Sequence, residues 1–176
     1  MDTIKLTLPL KEEDILRLNA GDCVLLSGKT YTARDAAHKR IAEALAKGER
    51  LPFDLSGASI YYAGPAPASP GHVIGPCGPT TSGRMDAYTP QLLAQGLKCM
   101  IGKGERSQIV KEEIARHRAM YFVCVGGAAA LLARHITNCR TVCYEDLGTE
   151  AVRELTLCDF PAFAALDLRG GDIYRR

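Results

Sequence analysis

Near the start of the chain apolar and polar side chains alternate, Ile4, Leu6 and Leu8 against Lys5 and Thr7, the period of a half-buried strand. "NAGD" at 19–22 reads as a turn. After it, "CVLLSGKTYT" is β-rich on both sides of Ser27-Gly28-Lys29 and predicts a tight hairpin or two short strands. The period then lengthens: in "TARDAAHKRIAEALAKGE" Ala37, Ile41, Ala44 and Leu45 share a helical face, with Gly48 as a C-terminal stop. Thr32-Ala33-Arg34-Asp35 has capping-box spacing, which starts the helix at Thr32 and puts Arg34 in its first turn. A cation there faces the positive end of the macrodipole, at a cost of roughly 0.3 kcal/mol unless an anion sits nearby.

"ASIYYAG" predicts a short strand that runs into "GPAPASPGHVIGPCGPTTSG", 20 residues with five glycines and five prolines. No helix survives that density, so this is a long loop with a fixed path. Thr89-Pro90 offers an N-cap and a first-turn proline, and Gly96 a stop. "KCMIGKGERS" reads as strand, glycine loop and a new N-cap at Ser107. A helix "QIVKEEIARHRA", a buried strand "YFVCV", a small-residue helix from "GGAAALLA" and strands near "TVCYE" and "FAALDL" complete the chain. Alternating strands and helices predict an α/β layered fold, with one domain over residues 1–176.

Composition narrows the function classes. With 47% hydrophobic and 24% charged residues and a net charge of +2, the chain carries no basic surplus that would argue for nucleic acid. Its longest apolar stretch, "MYFVCVGGAAALLA", is about 14 residues and too short for a membrane span. "MDTIKLTLPLKEED" has charges within any apolar core and is not a secretory signal, so a cytoplasmic location is expected. Seven cysteines without a CxxC pair fit reduced thiols. His135, Cys139 and Cys143 would share a helical face, but the β-branched "ITNCRTVC" disfavours one helix, and no metal site is expected.

The candidate chemistry centres on "GPTTSGRM". Gly78 and Gly83 have the spacing of a phosphate loop, yet Arg84 and Met85 replace the lysine and hydroxyl it needs, which argues against nucleotide hydrolysis. Thr80, Thr81 and Ser82 supply hydroxyls, and Arg84 a planar fork suited to a carboxylate. A small organic acid fits, and so does a plain glycine-rich turn. In "IGKGERS" Lys103 stands between two glycines, as an anion contact or an exposed loop lysine. Cys77, just before the loop, packs or approaches a ligand.

"YTARDAAHKR", "YYAGPAPASPG", "GPTTSGRMD", "IGKG" and "DLGTEAV", in this order, resemble the β subunit, or C-terminal domain, of the iron–sulfur hydro-lyases that comprise class I fumarate hydratases and L-tartrate dehydratases. The resemblance implies a swivelling β/β/α layered domain, active only with an α subunit whose cysteines carry the [4Fe–4S] cluster. It implies that Arg34, Arg84 and Lys103 bind substrate carboxylates, that Thr80 is the base beside a carboxylate, and that Asp35, His38 and Thr81 support them. (S)-Malate and fumarate are the expected pair. Dehydration of L-tartrate to oxaloacetate is the alternative within this chemistry, and a non-catalytic anion- or nucleotide-binding module the alternative outside it. Glu105 stands where the family commonly has Asn, with an ion pair to Lys103 or Arg106 or repulsion of a diacid as its expected effects.

Overall fold

The computed structural model describes residues 3–175; Met1, Asp2 and Arg176 lie outside it, and with them the part of the leader reading that rests on Asp2. Five strands run parallel, each paired with the next: β1 (Ile4–Leu8), β2 (Cys23–Thr32), β3 (Ser59–Tyr61), β4 (Cys99–Gly102) and β5 (Met120–Val123). Parallel neighbours need crossovers, which here carry α1 (Glu12–Arg17), α2 (Asp35–Ala46), α3 (Thr89–Ala94) and α4 (Gln108–Arg116) in turn. After α5 (Ala129–Ala133), β6 (Ile136–Cys143) and the 15-residue β7 (Val152–Leu166) return antiparallel. β7 pairs with β5 and also with β2, so β2, β3, β4, β5 and β7 form a closed ring of hydrogen-bonded strands.

Side chains on the parallel strands alternate between two apolar layers. From β3 and β5, Ile60 and Tyr121 join Ala37, Ile41, Leu92 and Val110 beneath the helices. Tyr61 and Phe122 point the other way, to Leu26, Leu155 and Phe160. Both faces of β3, β4 and β5 are therefore buried, and these three strands read as continuous hydrophobic runs, while β1 and β2 keep a more exposed face. Each large apolar side chain so buried contributes about 1.5–3 kcal/mol. The α/β reading holds.

Four local expectations are corrected. "CVLLSGKTYT" is one ten-residue strand, because both of its halves pair with β7; the Ser-Gly signal appears as a shift in register between Leu26 and Gly28, where Gly28 takes φ 116°. Helix α2 starts at Asp35, not Thr32. Thr32 ends β2, where its hydroxyl donates to Ala151 O (3.3 Å) and accepts from Arg153 N–H (3.0 Å). Thr89 lies inside α3, its hydroxyl bonded to Met85 O at 2.9 Å, and Tyr88 takes the cap position. "FAALDL" is the end of the long β7. Ser107 does cap α4, accepting from Val110 N–H at 3.4 Å. Residues 62–80 carry no helix or strand, and no helix among the described residues is long and apolar enough to cross a membrane.

Candidate functional site

In parallel α/β sheets ligands bind beyond the carboxyl ends of the strands, and the predicted residues collect there. Arg34 follows β2, Thr80 is held by a bond from its N–H to Tyr62 O just past β3 (2.6 Å), and Lys103 follows β4. Arg34 is the residue before α2, in extended backbone. The helix start it precedes is capped from far along the chain, by Glu150 Oε2 accepting from Ala36 N–H at 2.8 Å. Glu150 Oε1 also lies 3.7 Å from Arg34 Nη2. "DLGTEAV" is thus the segment that closes the start of α2. Arg153 fixes its shape by donating to the carbonyls of Gly148 (2.9 Å) and Thr149 (3.2 Å). Arg34 packs flat on Gly64, where an added Cβ would lie 3.0 Å from its Cδ and 3.1 Å from Thr149 O. The glycine of "YYAGPAP" is needed for this close approach.

Arg84 leaves a short 3-10 helix, Ser82–Met85, and its Nε donates to Asp35 Oδ1 at 2.8 Å. Its two Nη atoms have no intramolecular partner among the described residues, and its side chain is 55% exposed. Asp35 Oδ2 and Arg34 Nε, 4.0 Å apart, are buried without a hydrogen bond. Arg34, Asp35, Arg84 and Glu150 therefore form one charged cluster at the start of α2. His38 is fully buried, its Nδ1–H donating to Arg34 O at 2.9 Å. Burial lowers its pKa to about 4, so the ring is neutral and Nε2 faces Tyr62 and Tyr88 without a donor.

Thr81 forms a parallel bridge with Lys103, which ties the threonine loop to the glycine loop. The hydroxyls of Thr80 and Thr81 and the Lys103 ammonium have no intramolecular partner among the described residues, and the ammonium lies beside Gly126, after β5. Ser82 differs from its neighbours: it is buried, its Oγ accepts from Lys103 N–H (3.1 Å) and lies 2.8 Å from the Tyr121 hydroxyl. That hydroxyl donates to Gly104 O at 2.6 Å. Ser82 braces the loops and is not offered to a ligand. A Cβ on Gly102 would fall 2.0 Å from Ser82 Oγ, so the first glycine of "GKG" makes room for this brace.

Two residues that sequence reasoning missed hold the loops together. Arg106, its side chain wholly buried, donates through Nε to Asp86 Oδ1 (2.6 Å) and through Nη2 to Thr89 Oγ1 (2.7 Å), and stacks near Tyr62 and Tyr121. Asp86 Oδ2 accepts from Ser107 N–H at 2.6 Å. Their signal was the closing D of "GRMD", read only as a flank, and the R of "GERS", read only as an expected partner of Glu105. Glu105 pairs with neither Lys103 nor Arg106, as had been expected; it is exposed and bonds Lys111 Nζ at 2.8 Å.

The largest groove, about 830 Å³ and lined by Leu45, Phe53, Leu55 and Gln95, is at the other end of α2 from Arg34. The predicted cations instead lie on an open face. His135, Cys139 and Cys143 are spread before and along β6, and no three His, Cys, Asp or Glu side chains gather for a metal ion among the described residues. Burial pushes the thiols of Cys77, Cys99 and Cys124 up to about 12, so they are protonated core groups, with Cys77 packed inside rather than facing the site. These residues do not fit an iron–sulfur cluster.

The family model described as Fumarase C-terminus matches residues 1–176. "Fumarate hydratase class I, aerobic" of Escherichia coli (strain K12) is 38% identical over 177 residues, covering 98% of this chain and 32% of that protein. "Fumarate hydratase 2" of Leishmania major is 39% identical over 158 residues, 89% of this chain and 28% of that protein. "L(+)-tartrate dehydratase subunit beta" of Escherichia coli (strain K12) is 30% identical over 173 residues, 96% of this chain and 85% of that one. The chain thus spans about a third of the fumarate hydratases it matches and most of the tartrate dehydratase subunit. With the family model matched over its whole length and a relative of similar size at 30% identity, the chain belongs to the Fumarase C-terminus family.

Proposed function

We propose that this chain is the β part of a two-part iron–sulfur hydro-lyase that reversibly dehydrates (S)-malate to fumarate. The observation that supports the reading is the common placement of Arg34, Thr80, Arg84 and Lys103 on the loops that follow β2, β3 and β4, with the fork of Arg84 half exposed and without an intramolecular partner among the described residues. In this reading the three cations bind the two carboxylates of a diacid. Asp35 holds Arg84 by Nε and leaves both Nη atoms for a carboxylate. His38 and Glu150 fix the backbone and guanidinium of Arg34. Thr81 sets the spacing between Thr80 and Lys103 through its bridge.

Thr80 Oγ1 takes the proton from the carbon next to a carboxylate, and the hydroxyl two carbons from that carboxylate departs as water with a proton from the partner's acid. A threonine hydroxyl is a weak base, so the neighbouring cations must stabilise its alkoxide. No donor set among the described residues suits the cluster that the resemblance implies, and it is assigned to the partner α subunit. A fork on Arg84 left half exposed fits a site completed by that partner.

Dehydration of L-tartrate to oxaloacetate is the second reading, favoured by the match to most of the length of a separate tartrate dehydratase β subunit. Turnover assays on the complex with an α subunit decide: tartrate turnover without malate turnover rejects the first reading. The chain alone is expected to be inactive, and the complex sensitive to oxygen.

A further inference from the structure

Beyond β7 the chain turns back towards the glycine loop. Asp167 builds this turn by accepting from the N–H groups of Arg169 and Gly171 (2.8 Å each) and of Ala20 (2.9 Å). Leu166 then bridges to Asp172, whose side chain is only 3% exposed. Asp172 Oδ2 lies 2.7 Å from Lys111 Nζ in α4, and the same ammonium, 12% exposed, reaches Glu105 Oε1 at 2.8 Å. One lysine thereby ties the segment after β7 to the residue two positions past Lys103. One more contact runs in parallel: Arg175 Nη2 donates to Gln108 Oε1 at 2.7 Å.

A lysine between two glycines has little local stiffness, since Gly104 (φ 82°) adds no side chain to pack. Ser82, Tyr121 and Arg106 hold the inner side of this loop. Exposed ion pairs rarely fix geometry. The Asp172–Lys111 pair is largely removed from water, and losing one partner leaves the other only a more exposed one, Glu105 for the lysine and Arg175 at 3.6 Å for the aspartate.

We propose that Asp172 and Lys111 are positioning residues for Lys103, holding the outer side of its loop so that the ammonium stays at the anion site. The part concerning the anion rests on the hydro-lyase reading; the ordering of the loop does not. The test uses the full chain and two readouts. Amide exchange at Lys103 and Gly104 should quicken about tenfold in Lys111→Met and Asp172→Asn, with Tyr121–Val123 unchanged, and return to normal in Lys111→Arg. Succinate, a diacid without a leaving group, should bind the variants about threefold or more weakly than the unaltered chain in the α/β complex. Glu105→Gln changes only an exposed side chain; it should show the same local quickening to a smaller degree, even if the buried variants fail to fold. Unchanged exchange in Glu105→Gln and in every folded variant overturns the proposal. Quickened exchange together with no succinate binding by the unaltered complex upholds the loop coupling and removes the diacid reading.

Discussion

Arg106 and Asp86 meet at 2.6 Å with the arginine side chain wholly out of water, and the pair joins the loop that ends in Arg84 to the loop that carries Lys103. Removing one member leaves a buried charge unpaired, which costs about 3–5 kcal/mol. Arg106→Met should lose that much stability in urea titration, and Asp86→Asn a comparable amount, because one amide oxygen cannot accept from both Arg106 Nε and Ser107 N–H and the buried guanidinium loses its counter-charge. A loss below about 1 kcal/mol for Arg106→Met would show that the pair is not fixed.

In the proposed site Arg84 would offer a diacid its fork, and Asp35 holds its Nε. Arg84→Ala in the α/β complex should raise KM about 10–100-fold, the worth of a charge-assisted bidentate contact, and change kcat less. Arg84→Lys should recover only part, since a point charge replaces a planar fork. An unaltered KM in Arg84→Ala would take this residue out of the site.

Thr80→Val keeps the shape of the side chain and removes its hydroxyl. General-base loss should lower kcat about 100-fold or more, with substrate affinity nearly kept. Near-normal turnover would assign the proton transfer to another group.

His38 gives the fold a pH dependence of definite sign. Its pKa falls from 6.5 to about 4 on folding because burial disfavours the charged ring. Below pH 6.5 the unfolded chain takes up a proton that the folded chain refuses until about pH 4. Stability is fully present above this window and falls as pH drops through it, by on the order of 3 kcal/mol at its foot. Denaturant titrations from pH 7 to 4.5 should show this slope in the natural chain and a shallower one in His38→Gln. Equal slopes would mean that the ring is charged inside the fold.

Much of this was legible in the sequence, and the gaps share a physical cause. Period-two and 3.6-residue patterns located β1, α2 and α4, because each buries a face of its own, and β5 showed as an unbroken apolar run because both of its faces are buried. That Arg34, Thr80, Arg84 and Lys103 sit on loops was legible because glycines and prolines stand beside them in short motifs, whereas the roles proposed for them come from the family resemblance. The cap of α2 was misread: Thr32 and Asp35 had the right spacing, but β7 claimed the Thr32 hydroxyl and Glu150 reached the helix from 114 residues away. Gly28 looked like a turn because a bulge and a hairpin use the same backbone freedom, and only the partner strand tells them apart. The pairing of Arg106 with Asp86 went unread because a buried charge is recognisable only beside its partner, and these two are 20 residues apart.

The ring of strands also sets an order of events. β7 supplies the antiparallel neighbour of both β2 and β5, joining Cys23 to Phe163 and Val123 to the same phenylalanine. Every loop that carries a candidate side chain, up to Lys103, precedes β7 in the chain, yet the barrel that fixes their mutual positions closes only when this strand arrives. Pairings of such long sequence separation form late and slowly. A chain emerging from the ribosome therefore presents these cationic residues without the frame that gives them a common direction until β7 has been made and has paired.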